Sequence, residues 1–223
     1  MSSPPSVILF DLDGTLVDSV GDIHAAIGSV LAEDGRPAVT PEQVRGFVGD
    51  GAAMLVQRCY EAGGEAPPAD ALPRFRERYG ADCTARTRPY EGIPELLDAL
   101  HRSRPPVRMA VVTNKPGDFS RTIVSALGLD RWLPVVLGPD EVPAQKPDPS
   151  HLRAALTALG EEDADDVVMV GDGSTDLLAG QAAGARVAAV LWGYRSREQL
   201  SEAGSPDVFC ETVGELAAYL GAG

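Results

Sequence analysis

The sequence predicts an α/β protein: a doubly wound, Rossmann-like parallel sheet carrying a small all-helical second domain. Three observations lead there. Val7-Ile8-Leu9-Phe10 is apolar at four successive positions, as in a strand buried on both faces, and it stops abruptly at Asp11-Leu12-Asp13-Gly14-Thr15. From about residue 18 to residue 88 only helical spacing follows. After Pro89 strand-like runs alternate with helical ones, the pattern of a parallel sheet wound by crossover helices. The expected domains are therefore 1–17 with 89–223 for the α/β core and 18–88 for a helical cap.

In chain order, Ile23, Ile27, Val30 and Leu31 make the first helical stripe, which Gly35 ends. Thr40-Pro41-Glu42-Gln43 starts a second helix, with a Thr cap, Pro at the first position and Gln three residues on. Gly46 to Gly51 reads as a loop. A third helix presents Met54, Leu55, Arg58 and Cys59 before Gly63-Gly64, and Pro67-Pro68 separates it from a stripe of Leu72, Phe75, Tyr79 and Cys83. Beyond Pro89 the expected order is helix 94–102, strand 107–112, helix 118–127 and strand 133–137, whose Pro134 marks an edge. Helix 149–159, strand 167–170, helix 175–183 and strand 187–191 follow. A short helix, the stub 207–209 and helix 213–220 close the chain. Because the cap leaves the core directly after the first strand, it is expected to hang over Asp11 and Asp13 as a lid.

Composition narrows the function. With 19 Lys plus Arg against 33 Asp plus Glu the net charge is −14, which argues against nucleic acid and anionic membranes as partners. An anionic substrate then needs local cations and a metal. The three cysteines (Cys59, Cys83, Cys210) lack metal-ligand or disulfide spacing and read as free thiols in a reducing compartment. With no membrane-length apolar run and no signal-peptide core, the expected location is cytoplasmic.

Four groups of reactive side chains each follow a predicted strand. Asp11 and Asp13, two apart on an extended backbone, point the same way at a strand's carboxyl end, where open α/β sheets bind ligands. Paired carboxylates ask for a hard divalent cation, and Mg²⁺ suits them; an acidic turn is the plainer alternative. Thr113-Asn114-Lys115 offers a hydroxyl, an amide and an ammonium to an anionic oxygen, and reads equally as a polar turn. Lys146 sits before Pro147 and Pro149, which stiffen its loop; alone it reads as a surface lysine. Asp172 follows a β-branched strand, and Asp176 lies one helical turn on, where an acidic residue is also favoured by the helix dipole. A dinucleotide reading of Gly171-x-Gly173 fails, because Asp176 stands where the third glycine belongs.

The order of these motifs, Asp-x-Asp-Gly-Thr, Thr-Asn-Lys, Lys-Pro and Gly-Asp-x-x-x-Asp, resembles the haloacid dehalogenase superfamily, mostly aspartate-dependent phosphohydrolases. The resemblance spans nearly the whole chain. Residues 10–19, 48–52, 112–116 and 191–194 look closest to its phosphoglycolate phosphatase branch. It implies Asp11 as nucleophile, Asp13 as general acid and base, and Lys146 as the group neutralising the nucleophile and phosphoryl oxygens. It implies Mg²⁺ on Asp11, the Asp13 carbonyl and Asp172, with Asp176 ligating directly or through water. Thr113 and Asn114, with Gly14 and Thr15, would bind the phosphoryl group. Lys115, Asp18 and the loop from Arg45 to Asp50 would select the substrate, a small anionic phosphomonoester, with 2-phosphoglycolate favoured. Position 173 is Gly where that branch more often carries Ser or Thr.

Another small-metabolite phosphatase, a sugar phosphomutase and an inactive binding protein on the same fold are the competing readings. A dehalogenase is disfavoured, since displacing halide does not require the acid that Asp13 supplies. His24, His101 and His151 are isolated and are expected on helix surfaces or at caps, and Trp132 and Trp192 are expected to pack.

Overall fold

Strand β1 (Val7–Phe10) lies inside a six-stranded, wholly parallel sheet in the computed structural model, which describes residues 4–222. All four of its side chains are fully buried, each contributing roughly 1.5–3 kcal/mol of apolar burial. They alternate between two cores. Ile8 and Phe10 join one cluster, Val7 and Leu9 the other.

After β1 comes a two-residue strand, β2 (Val17–Asp18), then four helices: α1 (Val20–Glu33), α2 (Pro41–Phe47), α3 (Ala52–Glu61) and α4 (Ala71–Ala81). β3 (Arg88–Pro89) pairs antiparallel with β2 and returns the chain to the sheet. There follow α5 (Ile93–Arg102), β4 (Arg108–Val112), α6 (Gly117–Ala126), β5 (Val135–Leu137), α7 (Ser150–Leu159) and β6 (Val167–Gly171). α8 (Ser174–Ala183), β7 (Arg186–Val190), α9 (Arg197–Ala203), β8 (Val208–Cys210) and α10 (Val213–Leu220) complete it. The strand order is β5-β4-β1-β6-β7-β8, so the strands before Thr113 and Asp172 flank the strand before Asp11.

The expected doubly wound α/β class is what the chain adopts, with local differences. The edge strand begins at Val135 and not Leu133, because Pro134 has no N–H to give a ladder. α2 runs on through Gly46 and Phe47, where a loop was expected; its capping box (Thr40 Oγ1 with the Gln43 N–H, 3.2 Å, and Gln43 Oε1 with the Thr40 N–H, 2.8 Å) starts it firmly. The buried face of α3 is Leu55, Val56, Cys59 and Tyr60, while Met54 is exposed. The β2–β3 pair was not foreseen, since two residues show no periodicity.

One core cluster runs without a break from Ile8 and Phe10 through Leu12 and Leu16 into α1 to α4. Asp22 of α1 adds a polar clasp, accepting from the Arg86 N–H (3.0 Å), the Thr87 N–H (2.8 Å) and the Thr87 hydroxyl (2.8 Å). The three cysteines are buried free thiols. No described helix is long and apolar enough to cross a membrane.

Candidate active site

Register brings the reactive groups together. Phe10 pairs with Val111 on one side and Val170 on the other, so Asp11, Thr113 and Asp172 leave the sheet at nearly one level. The Asp11 N–H still donates to the Val170 carbonyl at 2.9 Å, which fixes the first carboxylate against β6. Asp172 follows Gly171, and Asp176 stands in the first turn of α8, where its carboxylate accepts from the Gly173 N–H at 2.9 Å. Gly171 is needed here: a Cβ would collide with the Asp176 carboxylate. Gly14 is needed twice over, by its φ of +86° and because Asp172 fills the space a Cβ would take.

One carboxylate oxygen from each of Asp11, Asp172 and Asp176 lies within 4.8 Å of the others. Burial, with Asp11 and Asp176 adding repulsion, pushes the Asp172 carboxyl up to about 8. Burial raises Asp176 too, against the pull of the Lys146 ammonium. Two buried acids and a half-buried one, all hard oxygen donors, fit a divalent cation such as Mg²⁺. Lys146 is the buried counter-charge. Its Nζ donates to Asp11 (2.8 Å), Asp176 (2.6 Å) and the Val112 carbonyl (2.5 Å). Burial works against that ammonium, but the two carboxylates outweigh it and hold its pKa above the ordinary lysine value.

Asp13 faces a second set of partners. Lys115 Nζ lies 2.8 and 3.1 Å from its two oxygens, and the Ser19 hydroxyl donates to it at 2.5 Å. Lys115, expected to select the substrate, is buried on Asp13 with its ammonium over the Tyr79 ring. Desolvation opposes its charge, yet Asp13 more than compensates and keeps it protonated. Thr113 is buried, its Oγ1 accepting from the Lys115 N–H at 3.2 Å. Asn114 donates through Nδ2 to the carbonyls of Lys146 and of Gly49 in the α2–α3 loop, both at 3.0 Å.

These groups open on one cavity of about 290 Å³ between the sheet's carboxyl edge and the helical layer. Asp11, Asp13, Thr113, Asn114, Lys115, Lys146, Asp172 and Asp176 all line it. Gly46, Val48, Gly49, Asp50, Leu55, Arg58 and Phe75 close it from the helical side. Four of the expected substrate contacts do not reach it. Thr15 is fully buried behind Asp172, donating to it at 3.3 Å, and the Gly14 N–H is engaged by the Val17 carbonyl. Asp18 and Arg45 pair with each other at 3.4 Å outside the cavity, because Arg45 turns onto the Tyr194 ring.

Sequence reading passed over several supporting residues. The Tyr194 N–H donates to Asp172 at 2.7 Å, and its hydroxyl accepts from the Ser19 N–H at 3.1 Å. Arg195 donates to the carbonyls of Arg45 (3.1 Å) and Val48 (2.5 Å), holding the helical layer against the core. His151 is fully buried, and not on a helix surface as expected, because α7 turns it under the Lys146 loop. Ser19 and Tyr194 carried a local signal, as the ends of the stretches 10–19 and 191–194, although neither had been given a role; Arg195 and His151 carried none.

The family model for haloacid dehalogenase-like hydrolases matches residues 8–190. The chain belongs to this family. Among haloacid dehalogenase-like hydrolases it is similar to phosphoglycolate phosphatase 1 of Pseudomonas aeruginosa, at 41% identity over 95% of this chain and 78% of that one. It is also similar to the N-acetylmuramic acid 6-phosphate phosphatase of the same organism, at 36% identity over 96% and 93% of the two chains. A solved structure, a predicted phosphoglycolate phosphatase from Haemophilus somnus 129PT, superposes with a TM-score of 0.85 at 28% identity, covering 96% and 97% of the two chains.

Proposed function

We propose that this hydrolase is a Mg²⁺-dependent phosphomonoesterase that works through an aspartyl-phosphate, with 2-phosphoglycolate as its leading substrate. The observation that carries this reading is the setting of Asp11. Of the three clustered carboxylates it is the most open to the cavity, its side chain 13% exposed, and Lys146 grips its Oδ1. That leaves Oδ2 to attack phosphorus as the bond to the ester oxygen breaks. Asp13, on the same cavity wall, protonates the departing oxygen and then takes a proton from the water that cleaves the acyl phosphate. Lys146 offsets the charge on the nucleophile and on the phosphoryl oxygens, and Thr113 and Asn114 line the position where that group sits. Asp11, Asp172 and Asp176, with the Asp13 carbonyl, would hold Mg²⁺, which supplies Lewis-acid stabilisation of the phosphoryl charge when bound.

The four-helix layer acts as the cap in this reading, with the core as 1–17 and 89–223. Lys115, shared between Asp13 and the cavity, would meet a substrate carboxylate. A second substrate is favoured by specific observations: the cavity of about 290 Å³ has an apolar wall of Ile23, Val48, Leu55 and Phe75, room for more than a glycolate. That wall, with the relatives that act on N-acetylmuramic acid 6-phosphate, supports a phosphosugar.

Phosphate release from both compounds, with Mg²⁺ and with chelator, tests the proposal. Turnover of either in Mg²⁺, lost in chelator and in Asp11→Asn, is expected. Turnover that survives chelation, or survives Asp11→Asn, would overturn the mechanism; isomerised product without phosphate would point to a mutase.

A further inference from the structure

We infer that His151 is a positioning residue: its imidazole fixes the backbone at Lys146 and ties that loop to the one carrying Thr113. The inference rests on the role given to Lys146 above.

His151 lies in the first turn of α7 and is fully buried, yet it touches none of the clustered carboxylates through a hydrogen bond. Its two ring nitrogens face opposite kinds of partner. Nδ1 meets the Lys146 N–H at 3.3 Å, and Nε2 meets the Leu137 carbonyl at 3.3 Å. A donor on one side and an acceptor on the other select one tautomer, neutral with the proton on Nε2. Burial and the neighbouring Lys146 charge keep the ring neutral, its pKa down at about 4.

The Leu137 carbonyl has a second donor, the Thr113 N–H at 3.1 Å. The Lys146 carbonyl accepts from Asn114 at 3.0 Å. Lys146 is therefore held at its N–H by His151 and at its C=O by Asn114, while its ammonium must satisfy three oxygens at once. Such a three-way fit tolerates little displacement, and a misplacement of about 1 Å can lower a rate by about 10²-fold. A histidine that merely filled the core would need neither nitrogen aimed at a catalytic loop.

Two substitutions separate these roles. His151→Leu keeps most of the volume and removes the acceptor. His151→Asn loses volume but sets an amide oxygen near the Nδ1 position. We expect kcat for the preferred phosphomonoester to fall roughly 10- to 100-fold in Leu, with KM within about threefold, and to recover at least about tenfold in Asn. Hydrogen exchange at the Lys146 amide, followed in the same proteins, should quicken in Leu and stay slow in Asn. Losses that follow melting temperature, or equal kcat in Leu and Asn with unchanged exchange, would overturn the inference. If wild-type protein releases no phosphate, the enzymatic reading fails by itself, and amide exchange still decides whether His151 holds the loop.

Discussion

Replacing Asp172 with Asn should stabilise the metal-free protein while abolishing its activity. Asp172 is enclosed by Gly14 and Gly193, either of which would clash with it if it carried a Cβ. Burial, then repulsion from Asp11 and Asp176, moves its carboxyl from 3.8 to about 8. A change of that size disfavours the ionised form by about 6 kcal/mol, at about 1.36 kcal/mol for each pH unit. Since the folded value lies above the unfolded one, the group's contribution to stability is complete below about pH 4 and is lost as pH rises to about 8. Asn has the same shape and no charge, so it removes that slope. Its amide nitrogen, however, must replace an oxygen that accepts from the Tyr194 N–H or the Thr15 hydroxyl. Allowing for that, the gain at pH 8 in chelator should be roughly 2–4 kcal/mol, or roughly 4–16 °C in melting temperature. Thermal melts of both proteins at pH 5 and pH 8, with chelator and with Mg²⁺, make the measurement. The difference should shrink at pH 5, and Mg²⁺ should raise wild type far more than the variant. An Asn variant less stable than wild type in chelator at pH 8, with equal Mg²⁺ shifts in both, would refute the reasoning.

Lys146→Met leaves Asp11 and Asp176 facing each other without their shared cation, and should cost about 3–5 kcal/mol in chelator by urea unfolding, as well as activity. A variant as stable as wild type would mean the lysine is not the counter-charge. Asp22→Asn turns a donor toward the Arg86 and Thr87 N–H groups and should destabilise by about 2–3 kcal/mol at pH 7. Burial pushes the Asp22 pKa up, but the hydrogen bonds from Arg86 and Thr87 win and leave it depressed. Its contribution is therefore present above about pH 4 and lost as pH falls, so the gap to wild type should narrow on acidification. A gap independent of pH would assign the loss to packing.

The site was legible where chemistry sits beside a strand end. Asp11, Thr113 and Asp172 each follow an apolar run, and parallel register brings such positions to one edge of a sheet. Lys146 was harder, because its environment is made by carboxylates 135 and 30 residues away. Gly14, Thr15, Asp18 and Arg45 were assigned to substrate from the neighbourhood of a motif, and in the fold they buttress Asp172 or the β2 junction instead. His151 was dismissed as isolated, since nothing in a helical stripe tells whether a ring lies under solvent or under a catalytic loop.

Local patterning by itself determined the class of fold, nearly every core element and the carboxylates at the strand ends, because buried strands and amphipathic helices are written in periods of two and 3.6 residues. The motif resemblance already implied Lys146 beside Asp11; only the tertiary structure gave that lysine Asp176 as a second partner and set Lys115 on Asp13. Tertiary packing likewise assigned Tyr194, Arg195 and His151 to the support of the site. Pairings between buried groups depend on distances across the fold, and spacing along the chain does not encode those distances.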